Sequence, residues 1–271
     1  MKKNSLGEMS FLDHLEALRW LLIRSTAGVL VGALISFLFI NDIFDVIIFG
    51  PSRPEFITYR WLCDISIMVD TWRGAEEVGQ FCIEKLNFEI QSRKLTGQFS
   101  VMLWMGITCG FILGFPYILW EVWKFIRPAL YKEEKKNAKL FIFTASLMFF
   151  LGVLFGYYVL TPLSVQFLGN YSVSSTIQNK FDIESYIGTV KTCILAAGLV
   201  FELPVLMLLL GKMGLVEPSM LRKYRKIAVV LIMVIASIIT PPDVLSLIII
   251  SIPFVLLYEI SIYLVQWSTK K

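Results

Sequence analysis

Phe125-Ile126-Arg127-Pro128-Ala129-Leu130-Tyr131-Lys132-Glu133-Glu134-Lys135-Lys136 is a short polar bridge between two long apolar runs, residues 100–123 and 138–161. A helix rises 1.5 Å per residue and the hydrocarbon core of a bilayer is about 30 Å thick, so about 20 residues cross it. Both runs are long enough. The bridge is therefore a turn at a membrane face, and the chain is an all-α integral membrane protein. Lys and Arg dominate the bridge, which places it on the cytoplasmic side. Glu133 and Glu134 stand in its middle. Two acids at the centre of a basic membrane loop point to a surface that receives a cation.

Outward from the bridge, six apolar stretches are expected as spans: 20–40, 100–123, 138–161, 187–211, 227–240 and 244–266. The composition agrees. Of 271 residues 56% are apolar and 17% charged, against about 45–50% apolar in a soluble domain. The mean hydropathy is +0.71. One transmembrane domain over residues 1–271 is expected rather than several domains. The basic start Met1-Lys2-Lys3 is that of a signal peptide, but no small-residue cleavage site follows the first apolar run, so it reads as a retained span. Arg24, one turn inside that run, is expected to snorkel to the interface, as is Lys191 at the outer end of the fourth.

The last two stretches are short. Residues 227–240 make roughly 21 Å of helix. Pro241-Pro242 then breaks the backbone, since proline lacks an N–H and restricts its predecessor. Residues 244–258 run only to Glu259. A helical hairpin with its tip at Pro241, Pro242 and Asp243 is expected, with local bilayer thinning beside it. With both termini cytoplasmic, 17 of the 25 Lys and Arg fall on the inner side, which sets the orientation. The 41–99 loop then forms an extracytoplasmic cap, with Trp61, Trp72, Phe81 and Phe88 to pack against the membrane surface or within the loop. Cys63 and Cys82 share that loop, and a disulfide between them requires an oxidising compartment and a proximity that spacing alone does not show.

No enzyme is expected. The chain lacks C-x-x-C, H-E-x-x-H, G-x-S-x-G and any phosphate-cradling glycine loop, and His14 is its one histidine. No metal site, cofactor or nucleic-acid partner is read from it. Two further constellations stand out. Ser10-Phe11-Leu12-Asp13-His14-Leu15-Glu16-Ala17-Leu18-Arg19 is an amphipathic helix start, readable as an interfacial anchor. Glu202, in Phe201-Glu202-Leu203-Pro204, lies about 15 Å along a helix from Lys212 and so near mid-membrane. An ionised carboxylate there is costly, so Glu202 is expected to face a polar cavity or to be protonated.

In order and spacing these segments resemble TatC, the polytopic core subunit of the twin-arginine (Sec-independent) protein translocase. The matching residues are 11–19, 125–131 with Glu134, 201–204, Leu221-Arg222-Lys223 with Arg225, and Thr240-Pro241-Pro242-Asp243. The resemblance implies six helices in a concave bundle in the cell inner membrane. It implies a receptor for signal peptides with paired arginines, which exports folded proteins on the proton motive force. Its implied partners are TatA-like and TatB-like single-span subunits and further copies of itself. Carried over, the signal-binding residues are Glu134 with Glu133, Glu16, Arg19 and Phe125, and Glu202 is the polar intramembrane residue. One departure matters: the family's second acid directly precedes Leu-Arg, and here Ala17 stands there with Glu16 one residue earlier. Leu247 is a second departure, apolar where some members carry a polar residue. The rival reading is a proton-coupled small-solute transporter with Glu202 as its proton site; it predicts inverted repeats, and none is read in the sequence.

Overall fold

The computed structural model describes residues 11–74, 82, 86, 88–127, 138–174, 176, 178–239 and 244–269. Its helices are α1 (Phe11–Leu38), α2 (Ile40–Asp42), α3 (Ile57–Arg73), α4 (Gly97–Ile126), α5 (Ala138–Phe155), α6 (Thr161–Asn170), α7 (Ile183–Phe201), α8 (Leu203–Lys212), α9 (Pro218–Lys223), α10 (Arg225–Ile239) and α11 (Val244–Thr269). Two π-helical segments, Ile43–Ile48 and Gly156–Leu160, link neighbouring helices. Five stretches are long and apolar enough to cross a membrane: Leu12–Leu38, Gly97–Ile126, Lys139–Asn170, Ile183–Lys212 and Leu247–Ser268. The amphipathic start and the first apolar run are thus one continuous helix. A sixth apolar helix, α10, has 15 residues, roughly 22 Å.

Lipid tails are as apolar as leucine, so helices in a bilayer are held by close packing rather than by the exclusion of water. Small residues do this work here. Gly110 of α4 meets the backbone of α1 so closely that an added Cβ would lie 2.5 Å from Ala33 N and Val29 O. Gly106 faces Phe37 and Gly28 faces Tyr117. As numbers fall along α1 they rise along α4, so the two helices are antiparallel. Gly152 and Gly156 bring the α5 path equally close to Ala197 and Cys193 of α7.

Helices α10 and α11 fold against each other. Ile232 and Ala236 share one core with Ile250, Phe254 and Leu257. Arg225 at the start of α10 pairs with Glu259 on α11, Nε to Oε1 at 2.8 Å. This corrects the expectation of a short sixth helix: α11 runs 26 residues, straight through Glu259. The physical reason is the partner. Arg225 compensates the carboxylate, so an acid that breaks the apolar run does not end the helix. The hairpin tip, Pro241, Pro242 and Asp243, lies outside the described residues.

The cap is more ordered than a loop. Strand β1 (Phe88–Gln91) pairs in parallel with β2 (Asn179–Asp182), Phe88 opposite Asn179 and Gln91 opposite Asp182. Phe88 meets Phe181 edge to face, centroids 5.6 Å apart. The pairing joins the segment before α4 to the one before α7. Cys63 and Cys82 form a disulfide, their Cα atoms 4.3 Å apart.

Candidate functional site

The antiparallel packing of α1 on α4 sets the start of α1 beside the end of α4. Those ends carry the two polar motifs. The His14 ring lies 4.5 Å from the Phe125 ring. Glu16 and Arg19 are exposed on the same end of α1. Arg127 follows α4, exposed, at the entry to the polar bridge. Glu133 and Glu134 lie outside the described residues.

One turn deeper sits an acid that the sequence reading passed over. Glu121 on α4 is only 3% exposed. Its Oε1 accepts from Lys124 Nζ at 2.5 Å, and Oε2 lies 3.5 Å from Arg24 Nη1. Arg24 also lies 5.7 Å from the Trp20 ring, and Lys124 5.6 Å from Trp120. The two cations share this one carboxylate, so the cluster carries a net charge of +1 rather than +2.

Glu202 lies in the kink between α7 and α8. Pro204, in the first turn of α8, has no N–H to continue the helix ladder. The Glu202 N–H donates to the Leu199 carbonyl at 3.2 Å, and its own carbonyl accepts from Leu206 at 2.9 Å. The carboxylate lies beside the Phe149 backbone of α5. Its Oε1 is buried with no partner among the described residues, an arrangement that costs free energy unless a proton or a ligand meets it.

The model of the family TatC, Sec-independent protein translocase protein, matches residues 13–253. The chain belongs to the TatC family. A TatC of Blattabacterium sp. subsp. Periplaneta americana (strain BPLAN) is 39% identical over 269 residues, covering 99% of each chain. The TatC of Aquifex aeolicus (strain VF5) is 31% identical, over 97% of each. A crystal structure of the twin arginine translocase receptor TatC superposes with a TM-score of 0.69 at 30% identity, covering 94% of this chain and 99% of that one.

Set on the TatC fold, the predicted residues divide. Phe125, Glu16 and Arg19 lie at one end of the bundle, where His14 rather than Glu16 or Arg19 touches Phe125; Glu202 is apart, in the kink. Glu121 was missed because it lies among Trp120, Val122 and Trp123, inside an apolar run. The signal that finds it is the one that marked Glu202: a lone acid within a span.

Glu121→Gln tests the local role. The amide keeps the shape and loses the charge, while the half-exposed Arg24 and Lys124 can recover water. A loss of about 1 kcal/mol is expected, read as a Tm lower by about 2–4 °C in detergent. An unchanged Tm would show that the pair holds nothing.

Proposed function

We propose that this chain is the receptor for twin-arginine signal peptides and the core of a translocase that exports folded proteins on the proton motive force. Family membership fixes the general role, a translocase component. The observation that carries the finer reading is the His14–Phe125 contact, 4.5 Å between ring centroids. It joins the start of α1 to the end of α4, from which the acidic bridge departs. A guanidinium pair fits that bridge, since a carboxylate can hold each guanidinium in a two-pronged, charge-assisted fork. The ammonium of lysine offers no such fork.

In this reading both termini and the bridge face the cytoplasm of a cell's inner membrane, and six helices cross it, α10 among them. The Cys63–Cys82 disulfide supports an oxidising outer side for the cap. Once the arginines dock at Glu134 and its neighbours, the signal's apolar segment lies along the bundle near Glu202. Single-span TatA-like and TatB-like partners, and further copies of this chain, complete the working complex. The short α10 and the tip at Pro241-Pro242-Asp243 thin the bilayer beside that path.

The test is binding. A synthetic twin-arginine signal peptide is titrated into the purified chain, and its twin-lysine variant alongside. The arginine pair is expected to bind at least about tenfold tighter, one charge-assisted bond's worth. Equal binding of the two peptides would reject the reading.

A further inference from the structure

Helix α3, in the cap, presents an apolar stripe that no described residue covers. Ile57, Trp61, Ile65, Met68 and Trp72 recur at helical spacing, within a sector about 80° wide. Trp61 is 63% exposed, Met68 70% and Trp72 86%. The opposite side of α3 holds it to the bundle. Tyr59 is buried, and its hydroxyl donates to the carbonyls of Pro51 at 2.9 Å and Pro162 at 3.1 Å. Thr58 donates to the Tyr158 carbonyl, and Ser66 on the same side as Tyr59 is buried as well. Arg60, Asp64 and Thr71 form a third side, polar apart from Ile67 at its edge.

The depth of α3 follows from its anchors. Counting 1.5 Å per residue from Lys139, Tyr158 lies about 28 Å along its span and Pro162 about 34 Å. The hydrocarbon core is about 30 Å thick, so the anchors stand at its outer boundary. Two other helices mark the same level. Lys191 Nζ lies 5.5 Å from the Trp104 ring. Trp104 is about 33 Å from the inner end of α4 at Ile126, and Lys191 about 31 Å from Lys212. A lysine over an exposed tryptophan is an interfacial pair, the charge reaching water and the ring staying at headgroup depth.

We propose that α3 is a monotopic interfacial helix, lying in the plane of the outer leaflet with the Trp61–Ile65–Met68–Trp72 stripe in the lipid. Three sides then meet three surroundings: Tyr59 and Ser66 the protein, the apolar stripe the headgroup–acyl boundary, and Arg60 with Asp64 the water. Tryptophans near both ends of the stripe suit that boundary, where an amphipathic ring is at home. A helix standing out into water would instead leave Trp72 some 20 Å from any apolar surroundings. The cap is thereby fixed to the bilayer along about 25 Å of helix as well as to the bundle.

The test places nitroxide labels at Met68→Cys, Ile65→Cys, Arg60→Cys and Asp64→Cys in the full chain, reconstituted alone in phosphatidylcholine–phosphatidylglycerol vesicles. The unsubstituted chain, labelled in parallel, gives the background from Cys109 and Cys193. Collision with dissolved oxygen reports lipid, and collision with an aqueous nickel chelate reports water. At 65 and 68, oxygen access is expected to exceed nickel access by about threefold or more, with the order reversed at 60 and 64. High nickel access at 68 would overturn the proposal, as would low access to both reagents, which means that protein covers the stripe. Met68 is exposed, so the label does not disturb the core, and circular dichroism checks the fold of each variant.

Discussion

Valine at position 110 is expected to abolish the folded bundle. The Cβ alone would lie 2.5 Å from Ala33 N and Val29 O and 2.8 Å from Ala33 Cα. All three are backbone atoms of α1, so no rotamer change relieves the contact; α1 and α4 must separate. Their separation would also undo the register that seats Arg24 on Glu121 and His14 on Phe125. Overpacking by a methyl or two typically costs about 1–3 kcal/mol, and more where backbone has to move. Gly110→Ala is therefore expected to lower Tm by several degrees, and Gly110→Val to leave no monodisperse protein after detergent extraction. Gly188 is the internal control. It is also a helix glycine, in α7, but a Cβ there meets no described atom within 4 Å. Gly188→Ala should be neutral or stabilise by up to about 1 kcal/mol, the helix-propensity gain. If Gly110→Val extracts and melts like the parent chain, α1 and α4 are not in contact as described.

The helical membrane character was legible because it rests on local signals, runs of apolar residues as long as a bilayer is thick. That α10 and α11 are two helices folded against each other was legible for a similar reason, from the Pro241-Pro242 pair in the sequence between them. What escaped depends on distant partners. Glu259 looked like the end of a helix because Arg225, which compensates it, lies 34 residues earlier in sequence. Glu121 looked like nothing because its neighbours in sequence are apolar, and its partner Arg24 comes from another helix. The antiparallel pairing of α1 with α4 follows from glycines that read only as apolar filler until the two backbones are seen to touch. At the site, the residue types of the two motifs were legible; their meeting at one end of the bundle was implied by the family resemblance alone, because no periodicity reports which helices are neighbours.

Glu134→Ala is expected to weaken binding of a twin-arginine peptide by about 10- to 100-fold, the worth of one charge-assisted bond at about 1.5–3 kcal/mol. The reason for so large a share lies in α1. Its helix is regular from Phe11, so side chains advance by about 100° per residue. His14 points at α4, since its ring rests on Phe125. Glu16, about 200° further round, therefore points away from α4, whereas position 17, only about 60° from His14, points back towards it. Ala17 is accordingly half-buried, while His14 to Glu16 are exposed. The acid that the family pattern places at that position would face α4; Glu16 does not. Nor can α1 easily roll to bring it round, because Arg24 on Glu121 and Gly28 under Tyr117 hold the rotation. Glu16→Ala should thus cost less than about threefold, near the lower end for a solvent-exposed ion pair, and the two substitutions should combine additively as independent sites do. Ala17→Glu should do the opposite and tighten binding, because it adds a carboxylate on the side of α1 that faces α4. Fluorescence anisotropy with a labelled peptide measures all four variants in one detergent and one salt. A loss at Glu16→Ala equal to that at Glu134→Ala would mean that α1 turns on binding the signal, and that the His14–Phe125 contact opens with it.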